Sequence, residues 1–311
     1  MTPVSESPIV TNLIRFSRVV GPFIVTIAAV VLVGWIMDIP FLKSLGPELV
    51  AMKPNAAISF GLAGISLWFL STRKGSRRKY QVAKVCAVVT ALIGLLTLAE
   101  YIAGSDFGID QLLFRESAGA VGTSNPRRMS PIGAVNFLLV GLALWLFHSQ
   151  RQRLFAQLLV LAALLISLVA FIGYAYEVEP FYGIATYTQM ALHSAVSYLI
   201  LCFGILCAMP GEGMMTVATA DSAGGIMIRR VLPAAIVVPP LLDWLRLQGQ
   251  DAKLYTTEFG SGLYALAIVV FFVILIWPSG RTLHSIDLRR RKAEERLERS
   301  SAELARSNKD L

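Results

Sequence analysis

Eight long apolar runs constrain this 311-residue chain more than any other feature of its sequence. Each run approaches or exceeds the roughly 20 residues that a helix needs to cross the hydrocarbon layer of a bilayer. Short polar clusters separate the runs, which is the pattern of transmembrane helices. We therefore predict an all-α membrane protein of about eight transmembrane helices. The predicted spans are residues 19–38, 54–71, 82–102, 131–148, 154–175, 188–208, 230–247 and 262–278.

The composition and the placement of charge support this class. Hydrophobic residues make up 55% of the chain and charged residues 15%, whereas about a quarter of a soluble domain is charged. The net charge of +8 would suit nucleic acid, but nearly all Lys and Arg lie between the apolar runs or in the C-terminal tail. We therefore expect no nucleic-acid partner. The three cysteines lie within apolar runs, and their odd number argues against a disulfide scaffold.

Basic residues are distributed unequally between the two sides that eight spans define. Twelve of the 28 Lys and Arg residues lie on the side of both termini, nine more lie in the tail, and seven lie on the opposite side. Positive residues favour the cytoplasmic side. We expect a multi-pass protein in the lipid bilayer, with both termini in the cytoplasm. The predicted domains are a cytoplasmic N-terminal segment (1–18), an eight-helix transmembrane domain (19–280) and a cytoplasmic helix (281–311).

Part of the sequence repeats at an offset of 77 residues. Residues 52–70 align with residues 129–147, and a weaker echo appears at 190–208. The aligned pairs are Met52/Met129, Pro54/Pro131, Ala57/Ala134, Phe60/Phe137, Gly64/Gly141, Leu67/Leu144 and Trp68/Trp145, with Glu100 on Glu177. We predict four related helical hairpins in one orientation, an arrangement that often leaves a site at the shared interface. The alternative is that spans rich in Leu, Ala and Gly resemble one another by composition alone.

Ionisable residues at membrane depth mark the candidate site, because each needs a partner or a wet cavity there. Acidic residues end the odd-numbered spans on the outer side, next to the external loops 103–130 and 176–187. We predict an outward-facing site for an unidentified ligand, formed by Glu100, Asp106, Asp110, Glu177, Glu179, Tyr182 and His193. The alternatives are that the acids are helix ends in contact with water and that the aromatics form an interfacial belt. A lone intramembrane histidine can also simply bond a neighbouring helix.

The sequence contains no motif of catalysis or cofactor binding. A P-loop, a Gly-x-Ser-x-Gly and a His-Glu-x-x-His are all missing. His193 has no second histidine at useful spacing, since His148 and His284 lie on the cytoplasmic side of the predicted topology. We therefore predict no metal, no cofactor and no catalytic residue within these 311 residues.

The pattern changes after residue 280, where a charged heptad segment begins. Steps of four and three residues form a seam of about three and a half heptads, the minimum for a coiled coil. The seam residues are Ile286, Ala293, Leu297, Ser300, Leu304 and Leu311, with Arg290 and Ser307 between them. A weak core of this kind can hold two packings close in energy, as a signal transmitter requires. We predict a homodimer through this helix; the alternative is a single basic, solvated helix.

The same tail resembles a known signalling helix. Arg289–Leu311 is similar to the helix that leads into the dimerisation and phosphoacceptor domain of bacterial sensor histidine kinases. Its last residues, 303–311, resemble the stretch that runs into the phosphorylated-histidine helix of phytochrome-like kinases. Upstream, the chain is similar to the multi-helix N-terminal regions of PAS-linked histidine kinases and diguanylate cyclases. That similarity rests on Phe107–Asp110, Arg128–Pro131, Asp221–Gly225 and Leu254–Phe259.

The resemblance covers roughly residues 80–311 and implies a parent protein-histidine kinase with a downstream kinase domain and a response regulator as partner. The phosphoacceptor box and the ATP-binding domain are absent from these 311 residues. His284 precedes the heptad segment instead of following it, so no catalytic role is carried over.

The resemblance therefore implies the membrane-embedded sensory input module of a two-component sensor histidine kinase in the bacterial cytoplasmic (inner) membrane. In this expectation residues 19–280 are the transmembrane sensor domain and residues 281–311 are the cytoplasmic signalling helix. One alternative is a small multi-pass transporter or channel with a cytoplasmic oligomerisation helix. That hypothesis predicts several unpaired polar residues in the middle of facing spans, where the sequence offers mainly mild hydrogen-bonding groups. The other alternative is the sensor module of a PAS-linked diguanylate cyclase.

Overall fold

The computed structural model describes residues 8–72, 76–105, 108, 121–123, 128–147, 149–183, 187–220 and 222–277. Within these ranges the chain forms α-helices and two 3-10 turns, without a β-strand. The helices are α1 (Pro8–Ile36), α2 (Pro40–Lys43), α3 (Pro54–Leu70), α4 (Arg77–Ala103), α5 (Pro131–Leu146), α6 (Arg153–Ala175), α7 (Leu192–Cys207), α8 (Met214–Thr219), α9 (Ala223–Asp251) and α10 (Thr257–Trp277). The 3-10 turns are Gln150–Gln152 and Glu179–Phe181. The all-α prediction is confirmed for this part of the chain.

Each of the eight predicted spans coincides with one helix, and within the described ranges five helices are long and apolar enough to cross a membrane. These five are α1, α4, α6, α9 and α10, and they identify a helical membrane protein. Helices α3, α5 and α7 have only 16 or 17 residues each, so the count of eight spans stays a prediction. The predicted coiled-coil seam lies outside the described residues.

Helix α1 begins earlier than predicted. The predicted first span starts at residue 19, whereas α1 begins at Pro8. Proline suits the first turn of a helix, because the N–H that it lacks would have no partner there. The apolar-run criterion passes over this part of the helix because Arg15 and Arg18 interrupt it. The predicted boundary between residues 18 and 19 therefore falls inside one continuous helix.

The described residues divide into two compact units, one up to Thr219 and one from Ala220 onward. In the first unit α1, α3, α4, α5, α6 and α7 form a closed ring, in which each helix contacts the next and α7 contacts α1. Helices α3, α5 and α7 also contact one another, so they form an inner triangle beside the outer helices α1, α4 and α6. The second unit contains α9 and α10. The predicted domain 19–280 therefore comprises two units, and three predicted hairpins build the first.

Three aromatic rings meet at the centre of the six-helix unit. They belong to Phe60, Phe137 and Tyr198, one from each inner helix, and all three are fully buried. Their ring centroids lie 4.5 to 4.8 Å apart in tilted or edge-on pairs, a favourable geometry for aromatic rings. The Tyr198 hydroxyl donates a 2.7 Å hydrogen bond to the Gly133 carbonyl, which satisfies it in the apolar core. These residues, here named the aromatic triangle, occupy one position of the repeat and mark its approximate three-fold axis.

A hydrogen bond recurs in each of the first three hairpins. Near the end of each outer helix, an aromatic side chain donates to the carbonyl of the methionine that precedes the next inner helix. These aromatic latches are Trp35 Nε1 to Met52 O (2.9 Å), Tyr101 Oη to Met129 O (2.9 Å) and Tyr174 Oη to Met190 O (2.5 Å). All three methionines are buried. The third hairpin, which the sequence relates only weakly to the other two, therefore shares their architecture.

Each outer helix is followed by a residue with left-handed backbone, three positions after its latch. The φ angles are 54° at Asp38, 62° at Gly104 and 57° at Glu177. Such a residue ends a helix by turning the chain away from the helical path. The structural equivalent of Glu177 is therefore Gly104, and the alignment of Glu177 with Glu100 is wrong. The offset of the inner helices does not apply to the outer ones, because the connections between them differ in length.

The repeated glycines bring outer and inner helices into close contact. A Cβ on Gly64 would lie 2.8 Å from the Gly21 carbonyl of α1. A Cβ on Gly141 would lie 2.5 Å from the Ala91 nitrogen and 2.7 Å from the Ala87 carbonyl of α4. Small residues at such contacts let helix backbones approach closely in membrane proteins. The repeated glycine therefore has a packing function within its hairpin.

We predict that Gly141→Ala destabilises the six-helix unit, because the new methyl would meet main-chain atoms that move only with their whole helix. The expected cost is about 1–3 kcal/mol, typical of overpacking a dense core. The matched control is Gly61→Ala, where the new Cβ meets only the Ala28 methyl at an ordinary 3.6 Å. Thermal unfolding in detergent measures both variants. Equal unfolding temperatures would contradict the close packing of α4 against α5.

Candidate functional site

A buried ion pair lies where α4 ends and α5 begins. Glu100, in the last turn of α4, is fully buried, and the Arg128 side chain is 8% exposed. Arg128 Nε lies 3.4 Å from Glu100 Oε2, and its Nη2 donates to the Ser105 carbonyl at 3.3 Å. The guanidinium carbon also lies 5.3 Å from the centre of the Tyr101 ring. A buried carboxylate is costly unless it is paired, so the arginine stabilises Glu100 at this depth.

The start of α5 holds Arg128 in place. Ser130 caps the helix through its side-chain oxygen, and Pro131 occupies the first helical position. The Tyr101 latch holds the carbonyl of Met129. The residue before Met129 is therefore fixed relative to the end of α4, which brings the arginine to its carboxylate.

A second buried cation lies at the start of α3. Lys53 is 3% exposed, and its Nζ donates a 2.9 Å hydrogen bond to Thr123 Oγ1. The neighbouring Gly122 carbonyl accepts from the Gln189 N–H at 2.9 Å. Gly122 has a φ of 57°, and a Cβ there would meet Gln189 Oε1 at 2.6 Å. Residues 121–123 therefore connect the starts of α3 and α7, and only glycine fits at the centre of this contact.

The segment after α6 folds back onto that helix. The rings of Tyr174 and Tyr182 stack with their centroids 3.9 Å apart. Glu179 accepts a hydrogen bond from Gln189 Nε2, which ties this segment to the start of α7. Burial raises the pKa of the Tyr182 phenol above its ordinary value, and the charges of Glu179 and Glu177 raise it further. The phenol is therefore neutral at physiological pH.

The structure divides the predicted site residues between two places. Glu100 is buried in its ion pair, whereas Glu179 and Tyr182 belong to the segment after α6. A contact between the Tyr101 and Tyr187 rings, with centroids 5.0 Å apart, lies between the two places. Glu177 is exposed at the left-handed position that follows α6.

The remaining predicted site residues are His193, Asp106 and Asp110. His193 lies in the first turn of α7, and its Nε2 is buried without a hydrogen-bond partner in the described part of the chain. Asp106 and Asp110 lie outside the described residues. Among the residues that the structure describes, no three His, Cys, Asp or Glu side chains lie close enough together to hold a metal ion.

Sequence reasoning gives no site role to Arg128 and Lys53, which it counts as basic residues of the outer side, or to Gln189, which it places inside the predicted span 188–208. Both cations adjoin the methionine of a repeated Met-x-Pro anchor: Lys53 follows Met52, and Arg128 precedes Met129. That adjacency was the available signal, because the anchor marks the buried start of an inner helix. The carboxylate partner of Arg128 is 28 residues away in sequence, so the pair itself has no local signature.

We predict that Glu100→Gln destabilises the six-helix unit by about 3–5 kcal/mol, because it removes the carboxylate from a buried guanidinium. Asp38→Asn is the matched control. Asp38 pairs with Lys43, but its side chain is 90% exposed, and exposed pairs contribute only about 0–1 kcal/mol. Denaturant unfolding in mixed micelles compares the two variants.

The double variant Glu100→Gln/Arg128→Gln tests the pairing directly. Because the two residues interact, its loss of stability should be smaller than the sum of the two single losses. Strictly additive losses, or a Glu100→Gln loss no larger than that of Asp38→Asn, would contradict a buried ion pair.

Comparison with known proteins adds no family to this description. No family model, no curated protein and no solved structure matches the chain. The assignment of this region as the candidate site therefore rests on the ion pair, the latches and the loop contacts at the start of the inner helices.

Proposed function

We propose that this chain is the membrane-embedded sensory input module of a two-component sensor histidine kinase in the bacterial inner membrane. In this proposal the six-helix unit receives a stimulus from the membrane or its outer face. The stimulus is passed to a dimeric cytoplasmic helix. The observation that carries the proposal is the closed interior of the six-helix unit, which favours a receptor over a conduit.

Apolar side chains fill the axis of the unit at and beyond the aromatic triangle. Two further layers of repeat-equivalent residues are buried there: Ala63, Val140 and Leu201, then Leu67, Leu144 and Ile205. A transporter or channel needs a polar path between the two ends of the unit. These layers leave no such path along the axis among the described residues.

The polar residues in the middle of the spans are mostly hydrogen-bonded nearby. Ser59 Oγ donates to the Asn55 carbonyl at 2.8 Å, and Ser167 Oγ donates to the Ala163 carbonyl at 2.7 Å. Asn136 Nδ2 in turn donates to Ser167 Oγ at 2.9 Å. Such bonds stabilise helix packing in lipid. The transporter hypothesis predicts several unpaired groups on facing helices. Outside the ion pairs, the buried side-chain atoms without a hydrogen-bond partner among the described residues of the unit are Ser17 Oγ, Asn136 Oδ1 and His193 Nε2, one each in α1, α5 and α7.

The polar cluster at the start of the inner helices is the proposed receiver. A ligand shifts a conformational equilibrium only by the difference between its affinities for the two states. The Arg128 contacts with Glu100 and the Ser105 carbonyl join α4 to α5, and the Gln189 contacts join α7 to residues 121–123. A polar ligand that competes for these groups would bind the two arrangements with different affinity.

The proposed output is the segment that follows α10. The described part of this apolar helix extends to Trp277, nine residues before the first seam residue, Ile286, of the heptad segment. Polar residues in the seam weaken one fixed packing, so a small rotation or tilt of α10 can select another. The sensor module of a diguanylate cyclase would share this membrane part and differ only downstream.

Disulfide cross-linking in native membranes tests the dimeric helix. Single cysteines are placed at Ala293, Leu297, Ser300 and Leu304, with Glu295 and Arg299 as controls outside the seam. The background carries alanine at the three native cysteines, each of which is buried. We expect strong cross-links at the four seam positions and none at the two controls, because only seam residues face the partner helix.

Each pattern of cross-links has a defined meaning. Cross-links at seam and control positions alike would indicate random collisions, not a coiled coil. A complete absence of cross-links would mean that the tail is a lone helix, and the sensory proposal would then lose its output element.

A further inference from the structure

We propose that a pocket at the end of the six-helix unit where the inner helices finish binds the headgroup of one anionic phospholipid through Arg153. This proposal goes beyond the sensory function and does not depend on it. Its geometric basis is a pocket of about 350 Å³, within the range of roughly 300–1,000 Å³ that small-molecule sites occupy. The pocket shares no lining residue with the polar cluster at the start of the inner helices.

The pocket lies on the axis of the unit, one layer beyond the apolar layers that fill the interior. Leu70, Phe147 and Ala208 line it. They occupy one position of the repeat, three residues after the layer of Leu67, Leu144 and Ile205. Alanine in the third hairpin leaves room that leucine and phenylalanine fill in the other two. The start of α1, the start of α6 and the loop after α7 supply most of the remaining wall.

The depth of the pocket matches that of lipid headgroups. Val10 and Ile14 of α1 line it. They precede the exposed Arg15 and Arg18, whereas the apolar run of this helix begins at residue 19. Basic pockets between transmembrane helices at this level can bind anionic headgroups. A lipid phosphate can therefore enter the pocket while its acyl chains stay in the bilayer.

Arg153 is the cation of the pocket wall. Its side chain is 17% exposed and pairs with Glu212, whose side chain is 42% exposed. Its Nε is buried without a hydrogen-bond partner among the residues that the structure describes. A second guanidinium adjoins the pocket, because Arg18 Nε donates a 3.1 Å hydrogen bond to the carbonyl of the lining residue Ser71. Two guanidinium groups and one carboxylate therefore lie at the described wall, which leaves one positive charge in excess.

A ligand can displace the Glu212 side chain without moving the main chain. Gln157 fixes the loop, since its Nε2 donates to the Glu212 carbonyl at 2.8 Å and its Oε1 accepts from the Met214 N–H at 2.7 Å. The Glu212 carboxylate already borders water, whereas Arg153 is mostly enclosed at the start of α6. A phosphate can thus replace Glu212 beside the arginine, and it accepts two parallel hydrogen bonds from a guanidinium.

The ends of the inner helices oppose an anion at this position. A helix C-terminus carries partial negative charge, and the C-cap residues Ser71, Phe147 and Ala208 all line the pocket. Arg18 offsets this charge at the end of α3 through its bond to the Ser71 carbonyl. A cationic headgroup paired with Glu212 is the alternative occupant. It would have to displace the enclosed Arg153, so the arrangement favours the anion.

Thermal unfolding of the purified chain in a neutral detergent tests the proposal. The probes are dihexanoyl phosphatidic acid, dihexanoyl phosphatidylcholine and glycerol phosphate at equal concentration. A ligand that binds only the folded state raises the Tm. We expect phosphatidic acid to raise it by about 2–4 °C at roughly ten times its Kd. The other two should have no comparable effect, because one carries a compensating cation and the other lacks an apolar part.

Three variants and one control locate the effect. Arg153→Gln should abolish the rise, whereas Arg151→Gln should retain it, because Arg151 is exposed and outside the described wall. Glu212→Gln should enlarge the rise, because no carboxylate then competes with the lipid phosphate. Ala208→Leu should abolish it by filling the pocket without a change of charge. Native mass spectrometry counts the bound lipid directly, and we expect one phosphatidic acid on the native chain and none on Ala208→Leu.

Every outcome supports or overturns the proposal. Equal shifts with phosphatidic acid and phosphatidylcholine, or an undiminished shift in Arg153→Gln, would overturn it. An equal rise with glycerol phosphate would assign the pocket to a soluble phosphate ester instead of a lipid. A rise with phosphatidylcholine that is lost in Glu212→Gln would assign it to a cationic headgroup. If Arg153→Gln does not fold, Glu212→Gln decides, because an ion pair with a structural role alone predicts no gain there.

Discussion

The mutual contact of Phe60, Phe137 and Tyr198 sets the dimensions of the six-helix unit. Rings whose centroids lie within 4.8 Å of one another require the three inner helices to run side by side at one point. Those helices are short, with 16 or 17 residues, and the longer outer helices contact them around the ring. Glycine at the repeated position then lets each outer helix of the first two hairpins reach its partner. The packing at the centre thus positions the inner helices directly, and it positions the outer helices through their contacts with the inner ones.

The same packing explains where polar chemistry can exist. Beyond the triangle the axis is filled by apolar layers, and the buried charged side chains of the described residues, Lys53, Glu100 and Arg128, lie toward the end at which the inner helices begin. There the latches hold main-chain carbonyls, and Arg128 and Lys53 lie directly beside latched methionines. A buried cation needs a nearby anion or a set of oriented dipoles, and this end of the unit contains both. The position of the charged cluster therefore follows from the packing of the apolar core.

The helices could be predicted from the sequence because lipid demands long apolar runs, and each run in this chain became a helix. The pairing of α3 with α5 in a repeat was also visible, since Met52, Phe60 and Gly64 recur at one offset. The latches were not visible. Trp35 and Tyr101 are 66 residues apart, and Tyr101 and Tyr174 are 73 apart, so no single offset aligns them. The Glu100–Arg128 ion pair could not be predicted for a related reason. Nothing in the sequence near Glu100 specifies that an arginine of the following loop will fold back onto it.

Each aromatic latch ends on a main-chain carbonyl and not on a side chain. Every residue type has that carbonyl, so substitutions around it leave the hydrogen bond in place. The position after the latched methionine holds Lys53 in the first hairpin, Ser130 in the second and Ala191 in the third, all buried. The same backbone arrangement, repeated three times, thus places a cation, a hydroxyl group and a methyl group around the same axis. A repeated arrangement of this kind allows the side chain at one position to change while the assembly of the hairpins stays constant.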